Sequence, residues 1–217
     1  MKRRTASTAP QRAAFLRLAS LLLQYPDTEL LGAREQLAAQ ARALPQPPLR
    51  DPLVAFTDWY LGADPMELAS CYVETFDLRR KGGLYLTYYL HGDTRRRGMA
   101  MLTLKQRYRV AGLTPPSDEL PDYLPVICEF AALAGPQAGE AALRQHRQGL
   151  ELIRAALHDR GSPYALILDA LCAFLPALPA AQADLVAELA LRGPPAEEVG
   201  LAPFAPPEFA AGLEVRA

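Results

Sequence analysis

Cysteine is scarce in this sequence. The 217-residue chain has three cysteines, which lie far apart at positions 71, 128 and 172. No Cys-x-x-Cys pair occurs and the count is odd, so the sequence predicts neither a disulfide framework nor a zinc knuckle. Isolated cysteines of this kind are typical of small buried hydrophobic side chains in a protein of a reducing compartment.

Long apolar runs are absent too. No stretch approaches the roughly 18 apolar residues of a membrane-spanning helix. The N-terminus carries a twin arginine followed by AAFLRLASLLL, but Arg17 interrupts that run and no small-residue cleavage site follows. The apolar positions recur instead with the period of a surface helix, at Phe15, Leu18, Ala19 and Leu22. The sequence therefore predicts a cytoplasmic protein.

Motifs that carry catalysis are missing as well. The chain has no G-x-G-x-x-G, no P-loop, no G-x-S-x-G and no H-E-x-x-H element. Its three histidines, His91, His146 and His158, have no partners at metal-ligand spacing. We therefore expect no enzyme, with no catalytic, cofactor-binding or metal-binding residues. A net charge of −1 also argues against a protein that coats nucleic acid.

A helical hydrophobic period, by contrast, recurs along the whole chain. Apolar stripes lie at residues 15–22, 68–76, 101–111, 143–157 and 164–174, with shorter candidate helices at 29–44, 53–61, 122–134 and 181–192. Most of the 20 prolines lie between these segments. The sequence predicts an all-α, single-domain helical bundle over residues 10–192, a disordered N-terminus at 1–9 and a Pro-rich C-terminal tail at 193–217.

Local signals predict where some of these helices begin and end. Asp64 and Pro65 supply an N-cap and a first-turn proline. Asp93 or Thr94 begins the helix that stops at Gly112. Residues 84–90, LYLTYYL, are ambiguous because they are aromatic and β-prone. Since a lone strand would have no partner, we predict a short buried helix there.

Charge is sharply segregated in the middle of the chain. Residues 79–109 carry nine basic side chains against the single acid Asp93, whereas residues 110–130 carry four acids and no base. Segregation of this kind indicates a binding surface rather than a uniformly solvated one.

The basic cluster Arg95, Arg96 and Arg97 crowds a helix N-terminus, where the macrodipole disfavours cations. Either carboxylates of this chain neutralise the cluster, or it meets an acidic or carbonyl-rich ligand. We predict that Arg97 is held by a carboxylate, with Glu74, Glu119 and Asp122 as candidates. Such a pair would fix residues 91–94, the HGDT turn, against residues 119–122, the ELPD loop.

The acidic element DELPDYLPVICEF has two interpretations. Asp122 and Glu129 are seven apart, so they should share one face of a helix, with Glu119 a turn earlier. In the first interpretation, these acids form a solvated helix face and lie near the start of the helix, where the macrodipole favours them. Alternatively, they form a carboxylate cluster beside exposed aromatics such as Tyr123, which suits an amphipathic peptide carrying Arg or Lys.

Five segments of the chain resemble one family of proteins. They are LLLQYPD at 21–27, YVETFDL at 72–78, YLTYYLHGDTRRRGMAM at 85–101, DELPDYLPVICEFAAL at 118–133 and SPYALILDAL at 162–171. In this order they are similar to the NarJ group of nitrate reductase assembly chaperones, within the wider TorD-like chaperones of molybdenum enzymes. Relatives commonly carry a histidine where this chain has Tyr123.

The resemblance implies an all-helical chaperone without catalytic activity. Its partner would be the N-terminal segment of the nitrate reductase catalytic (alpha) subunit, together with possible cofactor-delivery proteins, and it would meet the membrane only through that client. It would bind no cofactor stably, while its client receives molybdenum bis-molybdopterin guanine dinucleotide. Candidate peptide-binding residues in the matching segments are Tyr72, Phe76, Tyr85, Tyr88, Tyr89, His91, Asp93, Arg97, Glu119, Asp122, Tyr123 and Glu129.

Two other interpretations stay open at the level of sequence. The client can be a different molybdenum oxidoreductase. From another class of protein, residues 84–111 can form a helix-turn-helix DNA-binding unit, with Arg95–Arg97 near the major groove.

Overall fold

The computed structural model describes residues 8–78, 83–115 and 119–192. That part of the chain folds into α-helices without a β-strand, which confirms the all-α prediction. The helices are α1 Ala9–Leu22, α2 Thr28–Gly32, α3 Arg34–Arg42, α4 Pro47–Gly62, α5 Pro65–Tyr72, α6 Tyr88–His91, α7 Arg95–Val110, α8 Leu124–Gln145, α9 Arg147–Asp159, α10 Ala165–Phe174 and α11 Ala180–Arg192. A π-helical turn, Val73–Asp77, continues α5.

The helices pack around one hydrophobic core. Helix α1 lies along α8, α4 lies between α3 and α10, and α9 contacts both α10 and α11. The stripe predicted for α1 is buried at all four of its positions, since Phe15, Leu18, Ala19 and Leu22 are at most 3% exposed. Burial of this apolar stripe, rather than intrinsic helix propensity, is the main source of stability for such helices.

Tyr164 lies at the centre of an aromatic cluster that joins three parts of the bundle. Its ring is fully buried and lies 4.9–6.1 Å from four other aromatic rings, those of Phe56, Trp59, Tyr72 and Phe76. These residues come from α4, α5 and the π turn. Edge-to-face aromatic pairs at such distances stabilise beyond their buried area. The cluster therefore holds residues 72–77 in place from the core side.

Several predicted helix boundaries are confirmed. The Asp64 carboxylate accepts hydrogen bonds from the backbone amides of Met66 and Glu67 at 2.8 and 2.9 Å, as an N-cap should. Helix α7 follows Thr94 and ends before Gly112, whose φ of 73° is a conformation that favours glycine.

Other predicted boundaries are wrong. The single helix expected over residues 29–44 is divided at Ala33 into α2 and α3. The stripe expected over residues 143–157 is two helices, which meet at the buried His146. The first break follows Gly32, a helix-ending signal that the predicted single helix overlooked. The apolar period continues through the second break, which has no glycine or proline at it.

Helix α8 bends sharply at Gly135, which has a φ of 73° and precedes Pro136. The bend brings Gly139 against the backbone of Ala131. A Cβ atom at position 139 would lie 2.4 Å from the Ala131 Cα, so this approach requires glycine.

The short buried helix predicted for residues 84–90 is only partly correct. Helix α6 begins at Tyr88 after a turn at Leu86 and Thr87. The short extended segment before that turn forms an isolated antiparallel bridge between Tyr85 and Tyr123. The Leu124 amide donates to the Leu84 carbonyl at 2.7 Å, and the Leu86 amide donates to the Asp122 carbonyl at 3.0 Å. The extended segment does have a partner, which is the loop before α8 rather than a second strand.

The remaining expectations concern cysteines, membrane spans and chain ends. Cys128 and Cys172 are buried and Cys71 is half-buried, all as free thiols. Burial raises the pKa of each thiol, which keeps it protonated. Within the described ranges no helix has the length and apolar character to cross a bilayer. Helix α1 begins one residue before the predicted start at residue 10, whereas residues 1–7 and the tail at 193–217 lie outside the described residues.

Candidate functional site

The bridge between Tyr85 and Tyr123 brings together two of the segments that carry the family resemblance, the one with the HGDT turn and the one with the ELPD loop. We call them the two signature segments. The bridge places the residues before the HGDT turn beside the ELPD loop, although 35 positions separate Thr87 from Asp122. The Tyr108 hydroxyl also donates to the Pro121 carbonyl at 2.6 Å and ties the loop to α7. The contact between the HGDT turn and the ELPD loop, which was predicted from a pair of Arg97 with a carboxylate, is therefore present.

Asp122 lies in the interior of this junction. Its side chain is fully buried, and Oδ2 accepts hydrogen bonds from the Thr87 hydroxyl and, at 3.3 Å, from the Thr87 amide. The expectation that Asp122 is a surface carboxylate on the same helix face as Glu129 is wrong, because α8 begins only at Leu124. A buried carboxylate with these donors is a structural group rather than a docking group.

Arg97 is the member of the basic cluster that turns inward. Its Nη1 lies 2.9 Å from the Asp93 Oδ1 and its Nη2 lies 3.7 Å from the Asp122 Oδ2. The guanidinium carbon lies 5.8 Å from the Tyr85 ring centroid and 5.5 Å from that of Tyr88, which is within cation–π range.

Among the three predicted carboxylate partners of Arg97, Asp122 is confirmed. Glu74 and Glu119 form no ion pair with Arg97 within the described ranges, where the second partner is Asp93. The sequence had suggested Asp93 as a helix cap and a candidate peptide-binding residue, but not as a partner of Arg97. The cation near the start of α7 is therefore neutralised by carboxylates of this chain.

Three tyrosines connect the core of the same junction to its surface. The Tyr72 and Tyr123 hydroxyl oxygens are 3.1 Å apart, and the Tyr72 hydroxyl also donates to the Leu23 carbonyl at 3.2 Å. The Tyr85 and Tyr123 rings lie 5.4 Å apart. The Tyr85 hydroxyl donates to the Glu119 Oε1 at 3.1 Å.

Electrostatics around these tyrosines is acidic. Burial, followed by the nearby Glu119 carboxylate, raises the pKa of Tyr85 to about 12. Burial also raises the pKa of Tyr123, and the charges of Glu119 and Asp77 act in the same direction. The phenols therefore stay protonated hydrogen-bonding groups beside two carboxylates.

Four surface residues near this site were missed by sequence reasoning. Tyr25 is 47% exposed and its ring packs edge-on against Tyr72 at 5.5 Å. Asp77 lies near Tyr123, and Leu78 and Leu120 are exposed beside Asp77 and Glu119. A signal for Tyr25 and Asp77 was available, because both lie in segments that carried the family resemblance. We define the acidic–aromatic surface as Tyr25, Asp77, Leu78, Tyr85, Glu119, Leu120 and Tyr123.

The other predicted peptide-binding residues occupy different places. Tyr72, Phe76 and Tyr89 are buried, so they belong to the core beneath the surface rather than to the surface itself. Tyr88 and His91 are half-buried and Asp93 is exposed, next to Arg97. Desolvation, followed by the charge of Arg96, lowers the pKa of His91. Their role in peptide binding stays a prediction.

Glu129 lies apart from the acidic–aromatic surface. It lines a groove of about 280 Å³ between the end of α7 and α8, together with Tyr108, Leu113, Thr114, Pro115, Val126, Phe130 and Leu133. The sequence placed both acids in one site, whereas the structure separates the groove with Glu129 from the surface with Glu119. The described residues include no group of three or more His, Cys, Asp or Glu side chains arranged to hold a metal ion.

The helix-turn-helix alternative for residues 84–111 does not fit this geometry. Its first helix would be α6, which is a single turn after an extended segment. Arg97, one of the three proposed groove-facing residues, is instead turned toward Asp122.

The all-α bundle has the fold of a known protein structure. A crystal structure of a redox enzyme maturation protein from Archaeoglobus fulgidus matches with a TM-score of 0.57 at 21% identity, over 80% of this chain and 97% of that chain. Residues 35–168 match the family model described as the nitrate reductase delta subunit. The chain belongs to the nitrate reductase delta subunit family.

Curated relatives agree with this assignment. The nitrate reductase molybdenum cofactor assembly chaperone NarJ of Bacillus subtilis (strain 168) is 34% identical over 156 residues, covering 72% of this chain and 85% of its own length. NarJ of Escherichia coli (strain K12) is also 34% identical, covering 71% and 66%. The nitrate reductase-like protein NarX of Mycobacterium tuberculosis (strain H37Rv) is 42% identical over 154 residues. The match covers 71% of this chain but only 23% of the length of NarX.

Proposed function

We propose that this protein is a cytoplasmic assembly chaperone that binds the N-terminal segment of the respiratory nitrate reductase catalytic subunit. It holds that subunit competent for insertion of the molybdenum cofactor and for assembly at the membrane. The chaperone itself has no catalytic role and keeps no cofactor, since the cofactor enters the client. Family membership supports this function, because relatives in the same family are named as nitrate reductase cofactor assembly chaperones.

The acidic–aromatic surface is the observation that carries the proposal of a peptide site. Tyr25, Tyr85 and Tyr123 present ring surface, while Asp77 and Glu119 add negative charge. Exposed leucines flank the two acids. A helical peptide with an apolar face and basic residues would bury its apolar side chains on the rings and pair its cations with the carboxylates.

Calorimetry with a synthetic peptide tests this proposal. The peptide comprises the first ~15–30 residues of the cognate catalytic subunit, a length comparable to a leader segment. We expect saturable binding with a negative heat-capacity change, because apolar surface is buried. The same peptide with its order of residues scrambled is the control. Absence of binding to the cognate peptide, together with saturable binding to the leader of another molybdenum oxidoreductase, would favour the alternative client.

A further inference from the structure

Helix α7 presents large apolar side chains to solvent on the side that faces away from the core. Met99 is 65%, Leu102 is 59% and Val110 is 79% exposed. With the exposed Gln106 they recur at i, i+3, i+7 and i+11, so they follow one side of the helix. Leu104, on the opposite side, is fully buried. We call this outer side of the helix the α7 apolar strip.

Basic residues flank the α7 apolar strip. At 3.6 residues per turn, Lys105 and Arg109 lie along one border of the strip and Arg96 lies along the other. All three side chains are exposed. None of the sixteen residues of α7 is acidic. The exposed Arg95 lies on the line of the strip one turn before Met99, and Thr103 lies beside it. The helix therefore presents an apolar centre with positive charge on both sides and at its N-terminal end.

We infer that this face of α7 is an interfacial docking surface for an anionic lipid bilayer. An interfacial helix buries its apolar side in the boundary between headgroups and acyl chains. Lysine and arginine at the borders extend their charged ends toward the anionic headgroups while their aliphatic stems remain over apolar surface. The sixteen-residue helix would lie in the plane of the membrane over a length of about 24 Å.

The apolar strip favours a bilayer over other anionic partners. A nucleic acid would neutralise Lys105 and Arg109, but its phosphate backbone would meet the exposed Met99 and Leu102 with a charged surface. An acidic protein segment would leave the same two side chains against polar groups. A bilayer accommodates both features of the helix at once, because charge and hydrocarbon lie within one side-chain length of each other.

The inference goes beyond the proposed function and is independent of it. The client peptide is assigned to the acidic–aromatic surface, which α7 borders through Arg97 and Tyr108 on the side opposite the α7 apolar strip. It also differs from the expectation that the chain meets the membrane only through its client. A chaperone with both surfaces would bring its client to the bilayer directly.

Vesicle sedimentation with the full chain tests the inference. We expect binding to vesicles of phosphatidylglycerol and phosphatidylcholine at least about tenfold tighter than to phosphatidylcholine alone, and weaker binding as salt is raised. Replacing Lys105 and Arg109 together with glutamine should weaken binding about 25-fold. The double substitution Met99→Ser with Leu102→Ser should weaken it about tenfold or more. Met66→Ser, which alters a 75% exposed methionine on α5, should leave binding unchanged.

Several results would overturn the inference. They are absent binding to anionic vesicles, equal binding to both vesicle types, and retention of full binding by the serine double variant. Saturable binding to duplex DNA or to an acidic peptide without binding to vesicles would assign the face to another partner. Melting temperatures of all variants must match the parent protein, and Val110→Ser provides a second apolar variant at the helix end if the double variant unfolds.

Discussion

Arg97 and Asp122 face each other across the junction of the two signature segments, with 3.7 Å between Nη2 and Oδ2. The Asp122 side chain is fully buried and the Arg97 side chain is 14% exposed. Because an uncompensated buried charge is costly, removal of Arg97 leaves the buried Asp122 carboxylate with its Thr87 donors and no cation. The pair connects the start of α7 to the ELPD loop, and Asp122 connects the same loop to Thr87.

Removal of the Arg97 side chain should destabilise the protein. The substitution Arg97→Ala leaves the Asp122 carboxylate buried without its cation, at a cost of roughly 3 kcal/mol in the free energy of unfolding. Arg96→Ala, which alters the exposed neighbour, should change it by no more than about 0.5 kcal/mol. Urea unfolding of both variants measures the difference. Equal stability of the two variants would contradict a structural role for Arg97.

The substitution Asp122→Asn should also lower stability. The amide places a donor or a weaker acceptor where the carboxylate accepts from Thr87 and faces Arg97. The expected cost is about 1–3 kcal/mol, since buried hydrogen-bonding groups lose their partners. Glu129→Gln, in an exposed position, serves as the matched control and should leave the thermal midpoint nearly unchanged. An unchanged midpoint for Asp122→Asn would restore the interpretation that Asp122 is a docking residue.

Peptide binding should distinguish the two acidic surfaces. Glu119→Gln and Tyr25→Ala should each weaken binding of the client peptide about threefold to tenfold, because one removes a charge and the other removes ring surface. Glu129→Gln in the α7–α8 groove and Glu35→Gln on α3 should leave the affinity unchanged. Calorimetry provides the affinities, and melting curves check that each variant is folded. If Glu129→Gln alone weakens binding, the peptide occupies the α7–α8 groove instead.

Stability should fall as pH falls from about 6.5 toward 4 because of His146. Desolvation lowers the pKa of His146 to about 4, below its ordinary value of 6.5. In that window the unfolded chain binds a proton that the folded protein does not, so acid favours unfolding. The contribution is on the order of 3 kcal/mol across the whole window. His146→Gln should reduce the difference in unfolding free energy between pH 7 and pH 4.5, which urea unfolding at the two pH values measures.

Gly149 should tolerate no side chain. A Cβ atom there would lie 2.5 Å from the carbonyl oxygen of Leu86, in the segment that pairs with the ELPD loop. Gly149→Ala should therefore displace the junction and lower stability by about 1–3 kcal/mol, the usual range for overpacking. Gly98→Ala in α7 has open space around it and should stabilise by up to about 1 kcal/mol. Thermal unfolding of the two alanine variants compares them directly.

Local signals in the sequence predicted the parts of the fold that depend on neighbouring residues. The N-cap at Asp64 and the helix end at Gly112 were correct because both depend on backbone groups within a few residues. The break at His146 was not predictable, because packing between α8 and α9 decides it while the apolar period continues.

The sequence predicted the outline of the candidate site but misplaced some of its residues. The predicted pair of Arg97 with a carboxylate joined the HGDT turn to the ELPD loop, and Asp122 was correctly named as one of its candidate partners. The sequence could not indicate that Asp122 is buried while Glu129 lies in a separate groove, because helix α8 was expected to begin at residue 122. A shift of two residues in a helix start changes which side chains share a face.

By itself, the sequence determined the class of fold and the family, since hydrophobic period, caps and the signature motifs are local properties of the chain. Tertiary structure alone decided which charged residues are structural and which face solvent. The bridge between Tyr85 and Tyr123 closes a long loop and buries Asp122, while it leaves Tyr25 and Glu119 at the surface. Burial depends on contacts between distant segments, and residue spacing carries no direct record of those contacts.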